Sequence, residues 1–437
     1  MRAIAAVLSA AVFVFLFVPA ASKAADEKGG KTKVYSNEME DVKARITELE
    51  NKMKDAEVTD DLGHRLHPIH SMYGLKFGGG VTMTGQGASH TKNAGVRGAG
   101  ALSADITLET PVGKDGRVAG VLDFQHGAGL QGLPQFFASP NGNATGPNND
   151  IESFNDDALH VAQFYYEHNL AESMVMSIGQ LDPTAYFDAN SFANSERAHF
   201  LANVFANNPA VEFGGTGNFY GPGMRLTLTP VKETLDLTVG AIEGDGDYVN
   251  TFDNPFYMAE ADLKVKPNNR KGNYRAYYWN RHGRPDVTNT ANPNDERLLR
   301  ATNEGVGVSF DQWINGSVGV WLRGGRQRAK VAQFNAFAGG GIHLSGAAVG
   351  RRNDRAGLGY AVSLMGKDYK AYKKSVDPAF EDGDEQYMEA YYNYAVGDAT
   401  DTTGFHVSPD YQFVVNPGGD TNASKAHIYG IRLQAFF

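Results

Sequence analysis

The chain has 437 residues and a formal net charge of −10, which argues against a nucleic-acid partner. It contains no cysteine, so disulfides, thiolate catalysis, iron–sulfur ligation and haem attachment through Cys-x-x-Cys-His are excluded. With 51 glycines, 25 phenylalanines and 20 tyrosines, the composition suits many strands joined by tight turns.

Residues 3–18 form an apolar run behind Arg2, and the small-residue stretch 19–24 follows. This is the pattern of a secretory signal peptide cut after Ala24. No later segment reaches the ~18 continuous apolar residues of a membrane helix. An acidic mature chain behind such a leader points to export from a bacterium. Residues 25–56 hold a polar spacer and a heptad seam of Tyr35, Met39, Val42, Ile46, Leu49, Met53 and Ala56. That spacing predicts a short periplasmic coiled coil. About three heptads are marginal alone, so the coil is expected to tie together subunits held elsewhere, or to reach the cell wall. Residues 57–71 read as a linker. His64, His67 and His70 recur at every third position, but Pro68 breaks any helix that would align them, and no metal site is expected.

From residue 72 to 437 the hydrophobic period becomes two. The predicted strands are 72–87, 99–110, 117–127, 158–168, 172–181, 219–230, 233–243, 255–266, 272–282, 303–313, 316–326, 339–350, 356–366, 385–396, 402–415 and 427–437. Short turns such as PVK and NNRKG alternate with long connections at 128–157, 182–218, 283–302 and 367–384. An all-β fold follows: a transmembrane antiparallel β-barrel of about 16 strands, with turns at one end and long loops at the other.

Alternation assigns the two faces of each strand. In NYRAYYWNR, residues 273–281, Tyr274, Ala276 and Tyr278 face lipid, while Arg275, Tyr277, Trp279 and Arg281 face the lumen. Gly305, Gly307, Ser309 and Asp311 share the inner face of the next strand and leave room for these large side chains. Glu260 and Asp262 fall on the inner face of 255–266, Trp321 and Arg323 on that of 316–326, and Glu389 on that of 385–396. Arg326 is grouped with Arg323. In the last strand, Tyr429, Ile431, Leu433, Ala435 and Phe437 face one way. The long connection after the fifth strand, 182–218, is expected to fold into the lumen and narrow it, with Asp188, Glu196 and Arg197 at the constriction and Asp182 pinning the loop. Residues 191–205 contain a plausible helix whose apolar side is Phe192, Phe200, Leu201, Val204 and Phe205. The acidic tips 243–254 and 381–385 lack the ligand spacing of an EF-hand loop and read as solvated.

Three segments resemble the carbohydrate-selective porins of the OprB type. They are GQLDPTAYFDANSFANSERAHFLANVFANNPAVEF at 179–213, EAYYNYAV at 389–396 and SPDYQFVVNPGG at 408–419. The coil before the barrel departs from the plain family pattern. The resemblance implies a passive, sugar-preferring channel in a bacterial outer membrane, a homotrimer surrounded by outer-membrane lipid. It also implies that the terminal aromatic Phe437 is read by the barrel-assembly machinery. A sugar offers hydroxyls and apolar C–H faces, so a lumen that favours it needs rings and hydrogen-bonding charges. Tyr277, Trp279 and Trp321 supply rings, Arg275, Arg281, Arg323 and Arg326 supply planar donors, and Glu260, Asp262, Asp311 and Glu389 supply acceptors. A general or anion-preferring porin on the same fold is the alternative. No catalytic constellation appears at either rim, so neither an enzyme nor a cofactor is expected.

Overall fold

A computed structural model describes residues 70–437 apart from 73–74, 90–97, 128, 133–135, 143–157, 214–219, 245–247, 249–250, 285–300 and 401–402. The expected leader at 1–24, the expected coiled coil at 25–56 and most of the expected linker, including His64 and His67, lie outside the described residues.

The chain enters through a three-residue strand, β1 (His70–Met72). The long strands follow: β2 (Leu75–Ser89), β3 (Gly98–Val112), β4 (Gly116–His126), β5 (Ala158–Ala171), β6 (Met174–Leu181), β7 (Gly221–Val231), β8 (Leu235–Glu243) and β9 (Pro255–Val265). The second half comprises β10 (Gly272–Arg284), β11 (Ala301–Trp313), β12 (Val318–Gln327), β13 (Phe334–Ser345), β14 (Arg355–Met365), β15 (Glu385–Ala395), β16 (Gly404–Val415) and β17 (Ala426–Phe436). Every long strand pairs antiparallel with its sequence neighbours, and β17 pairs with β2 from His427↔Ser89 to Phe436↔Gly80. The ring β2–β17 is therefore a closed barrel of sixteen strands, with no open edge among them. The terminal residue seals the seam: Gly79 N–H donates to the Phe437 carbonyl at 2.9 Å and Phe437 N–H donates back at 3.0 Å. β1 continues along the same edge of β2, pairing His70 with Phe77, so part of the predicted linker is strand.

Connections at one end are turns, such as 113–115, 172–173, 232–234 and 314–317. Those at the other end include 127–157, 182–220, 285–300 and 366–384. Burial follows the parity of the strands. Along β15, Glu385, Tyr387, Glu389, Tyr391, Asn393 and Ala395 are buried, whereas Tyr392 and Tyr394 are exposed. Along β17, Arg432 and Gln434 are buried while Tyr429, Ile431 and Leu433 are exposed. Polar groups inside and apolar groups outside invert the pattern of a water-soluble sandwich and match a barrel solvated by lipid.

The described helices are few. The helix expected within 191–205 is reduced to one turn, α1 (Asn203–Ala206). The apolar residues read as one helix face point to separate partners: Phe192 lies 4.9 Å from the Trp313 ring, while Phe200 lies 5.5 Å from Trp321. A second helix, α2 (Lys367–Val376), occupies the connection between β14 and β15, where none was expected.

Candidate functional site

The connection between β6 and β7 crosses the barrel interior and docks against β9–β15. Its backbone has no sheet ladder, so its buried N–H and C=O groups need other partners. Inward side chains of the wall provide them. Glu260 accepts from Asp188 N–H at 2.8 Å. Asp311 accepts from Ser191 N–H at 3.2 Å and Ser191 Oγ at 2.8 Å. Glu389 accepts from Ala202 N–H at 2.9 Å and from Leu201 N–H. Arg275 Nη1 donates to the Ala189 carbonyl at 2.8 Å.

Asp188 is the central knot. It is fully buried and holds a positive φ of 60°, a conformation a short polar side chain tolerates. Its carboxylate accepts from Tyr277 Oη at 2.7 Å, Asn208 N–H at 2.7 Å and Arg323 Nε at 3.1 Å. Arg323 also donates to the carbonyls of Asp188, at 2.9 Å, and Phe205, at 2.6 Å. Apolar packing completes the docking. Phe200 and Phe205 sit on Trp321 with ring centroids 5.5 and 5.8 Å away. Phe187, Val211 and Phe213 share a second cluster with Phe256, Tyr277 and Trp279. A Cβ at Gly305 would stand 2.7 Å from Trp279 Nε1, so the small residues of β11 do make room for that ring.

A second inward segment comes from the connection between β4 and β5. Its Pro140 carbonyl accepts from Gln86 Nε2 and Gln412 Nε2, both at 2.9 Å. Phe137 N–H donates to Glu385 at 2.9 Å. The two inward segments bond to each other through Gly142 N–H to Leu201 O at 2.8 Å and Asn203 N–H to Ser139 O at 3.0 Å. Together they fill the side of the barrel bounded by β9–β17 and β2.

A cavity of about 640 Å³ remains between the first inward loop and the wall of β2–β5. At the turn end its wall carries a chain of charges. Lys76 Nζ donates to Glu109 at 3.2 Å, Arg117 to Glu109 at 2.8 Å and to Glu167 at 2.7 Å, and Arg225 to Glu167 at 2.7 Å. Further round, Lys264 pairs with Asp236 at 2.7 Å, and Arg275 with Asp262 at 3.2 Å and Asp311 at 3.0 Å. Five basic and five acidic side chains thus form a belt with no net charge; Lys76, Glu109, Arg117 and Arg275 line the cavity itself, and Asp311 closes the belt from beneath the loop. Midway, Arg197 on the loop reaches Asp105 on β3, and Arg432 holds the Glu196 and Arg197 carbonyls at 2.8 and 3.0 Å. Tyr220 Oη donates to Asp123 at 3.1 Å, Tyr186 Oη to Gln163 at 2.6 Å, and Arg225 stacks 4.4 Å above the Tyr186 ring. Burial, with Asp123 and Asp182 adding, pushes the Glu196 carboxyl up to about 7.

Of the residues expected in the lumen, Arg275, Glu196 and Arg197 line this cavity. Asp262 sits at its edge through Arg275. Tyr277, Trp279, Arg281, Trp321, Arg323, Glu260, Asp311, Glu389 and Asp188 point inward but are buried beneath the inward loops. They hold the loops instead of meeting solute. Arg281 instead ties down the connection between β8 and β9 by donating to the Gly244 carbonyl. Arg326 does not face inward at all: it is exposed on the outer wall, paired across the sheet with Val306 and Ala336. An odd spacing from Arg323 forces opposite faces on an unbroken strand, so grouping the two arginines was a parity error. Asp182 accepts from Thr184 N–H at 2.9 Å and Thr184 Oγ1 at 2.7 Å, which pins the start of the loop.

Sequence reasoning passed over Lys76, Asp105, Glu109, Arg117, Asp123, Glu167 and Arg225. Parity on β3 and β4 exposes the four central ones. Glu167 is harder, because a bulge shifts the β4–β5 register between Val121↔Gln163 and Leu122↔Val161, which inverts the alternation within β5.

The family model described as carbohydrate-selective porin, OprB family, matches residues 77–437. Among solved structures, the chain resembles Pseudomonas putida OprB at high pH, with a TM-score of 0.68 and 16% identity over 83% of this chain and 94% of that one. The low-pH structure of the same protein gives a TM-score of 0.50 and 13% identity, over 83% and 93% of the two chains. An uncharacterised protein of Aquifex aeolicus is 23% identical over 255 residues, which is 58% of this chain. The match spans 62% of that relative's own length.

Proposed function

Since the chain belongs to the OprB family of carbohydrate-selective porins, a family of outer-membrane channels, we propose that it passes small neutral sugars by diffusion through the gap between the inward loop and the wall of β2–β5. The charge-neutral belt is the observation that carries this reading. Each of its carboxylates is paired with a cation, so an ion gains no net field on entering, while a polyol meets closely spaced donors and acceptors. Tyr220 supplies aromatic surface beside that path, with Tyr165 and Tyr186 packed behind it in the cavity wall. Binding at such a surface is weak and distributed, as permeation requires. The chain is exported by cleavage after Ala24 and assembles as a trimer in the outer membrane, with the N-terminal coil joining subunits or reaching the cell wall.

Swelling of liposomes that contain the purified protein tests the reading. Glucose and a disaccharide are compared with an amino acid and a small anion of similar size. Sugars should outrun the size-matched solutes. Rates ordered by size alone, or by charge alone, would leave a general or anion-preferring porin on the same barrel.

A further inference from the structure

The outer wall between β8 and β13 is not evenly covered. Large side chains stand out into the lipid elsewhere, as at Phe164 and Tyr429, and also rim this sector, as at Leu322, Val306 and Tyr278. Across β9–β13 the outward positions include Ala259, Ala261, Ala276, Gly324 and Ala336, and they leave a groove of about 870 Å³. Arg326 lines one end of it. This arginine has no hydrogen-bond or ion-pair partner among the described residues. Its neighbour Arg328 is already engaged by the Thr302 carbonyl at 3.0 Å and by Glu304 at 3.8 Å.

The height of Arg326 follows from the strand. It lies eight residues from Val318, the turn-end start of β12. At ~3.3 Å per residue and a tilt of ~40°, that is about 20 Å along the barrel axis. The apolar band of such barrels is about 25 Å tall, so Arg326 stands about 5 Å inside its loop-end border, a distance that the long arginine side chain spans by reaching toward the interface. Tyr278, in the same row, anchors there through Tyr278 Oη to Glu304 at 2.9 Å. An exposed guanidinium at a lipid border is matched by a phosphate, which it binds in a fork. The loop end of an outer-membrane barrel faces the outside, where the leaflet is built from phosphorylated, acylated glycolipid.

We propose that this groove is a binding site for that glycolipid, with one acyl chain lying along the small residues of β9–β13 and a headgroup phosphate held by Arg326. The surface assignment rests on the family and the topology of the barrel, not on sugar selectivity.

Native mass spectrometry of the delipidated protein in detergent tests it, with bisphosphorylated lipid A, the same lipid without phosphates, and phosphatidylglycerol as probes. Lipid A should bind and its dephosphorylated form should bind about tenfold more weakly, the loss of one charge-assisted contact. Arg326→Gln should show the same loss, and Ala276→Leu, which fills the groove below the phosphate, should weaken both forms. Heat-modifiable mobility in gels and unchanged channel conductance confirm that each variant has folded. Equal binding of lipid A by wild type and both variants would overturn the proposal, as would a preference for phosphatidylglycerol. Because the chain has no cysteine, a single Ala276→Cys substitution reports on the remaining occupant. Its efficient disulfide cross-linking in membranes would show that a second copy covers this face, and would also overturn the proposal.

Discussion

Replacing Arg323 with alanine removes the main tie between the inward loop and the barrel wall. Four donations are lost: to the Asp188 carboxylate at 3.1 Å, to the Asp188 carbonyl at 2.9 Å, to the Phe205 carbonyl at 2.6 Å and to Asn194 Oδ1 at 3.3 Å. Both side chains of the pair are inaccessible to solvent, so Asp188 keeps a buried charge with only Tyr277 and Asn208 to satisfy it. Breaking one partner of a buried pair costs about 3–5 kcal/mol. At about 1.4 kcal/mol per tenfold, the ratio of docked to undocked loop falls by roughly two to four orders of magnitude. The strands themselves are held by main-chain ladders that this substitution leaves alone, so the barrel should still form. Single-channel recording in planar bilayers is the assay. The variant should show larger and noisier openings, and Arg323→Lys, which keeps the charge but loses the fork, should fall between. A folded Arg323→Ala channel with wild-type conductance and noise would refute the claim that this residue holds the loop.

The neutral belt predicts that Glu109→Gln leaves Lys76 and Arg117 in excess; reversal potentials under a salt gradient should move toward anion preference, and an unchanged value would remove the belt from the permeation path. Glu196 carries its folded pKa at about 7, above the 4.5 of an unperturbed glutamate. Its neutral form is therefore favoured in the folded loop, so its contribution to loop docking is full below about pH 4.5 and lost as the pH rises through about 7. Cation preference should rise between about pH 6 and pH 8 as this carboxylate ionises, and Glu196→Gln should flatten the response; persistence of the response in that variant would place the titrating group elsewhere. At the seam, a Cβ on Gly79 would meet the Asp105 carbonyl at 2.5 Å and the Phe437 ring at 2.8 Å, so Gly79→Val should lower the yield of heat-modifiable, folded barrel in refolding assays.

Much of the architecture is local and was open to reading from residue order. Period-two alternation places Tyr277 and Trp279 inside and Tyr274 and Tyr278 outside, because a strand has no other way to direct its side chains. The rhythm of short and long connections sets the two ends of the barrel, and the terminal strand pairs with β2 as an edge that must be closed. Where local rules broke, reading broke with them. The bulge at Val121 and Leu122 inverts parity within β5. The helix expected at 191–205 fails because Phe192 and Phe200 pack against different parts of the wall.

The strand count, their order and, where no bulge intervenes, the face taken by each residue are properties of the sequence by itself, since they follow from chain connectivity and a two-residue repeat. Only the tertiary structure decided which inward residues meet solute. Glu260, Asp311, Arg323 and Glu389 carry the same chemistry as Glu109 and Arg117, yet the first group is covered and the second is open. The difference arises because two long loops enter the lumen and must satisfy their backbone hydrogen bonds there. They take the charges of β9–β15 as partners and leave those of β2–β5 to line the passage.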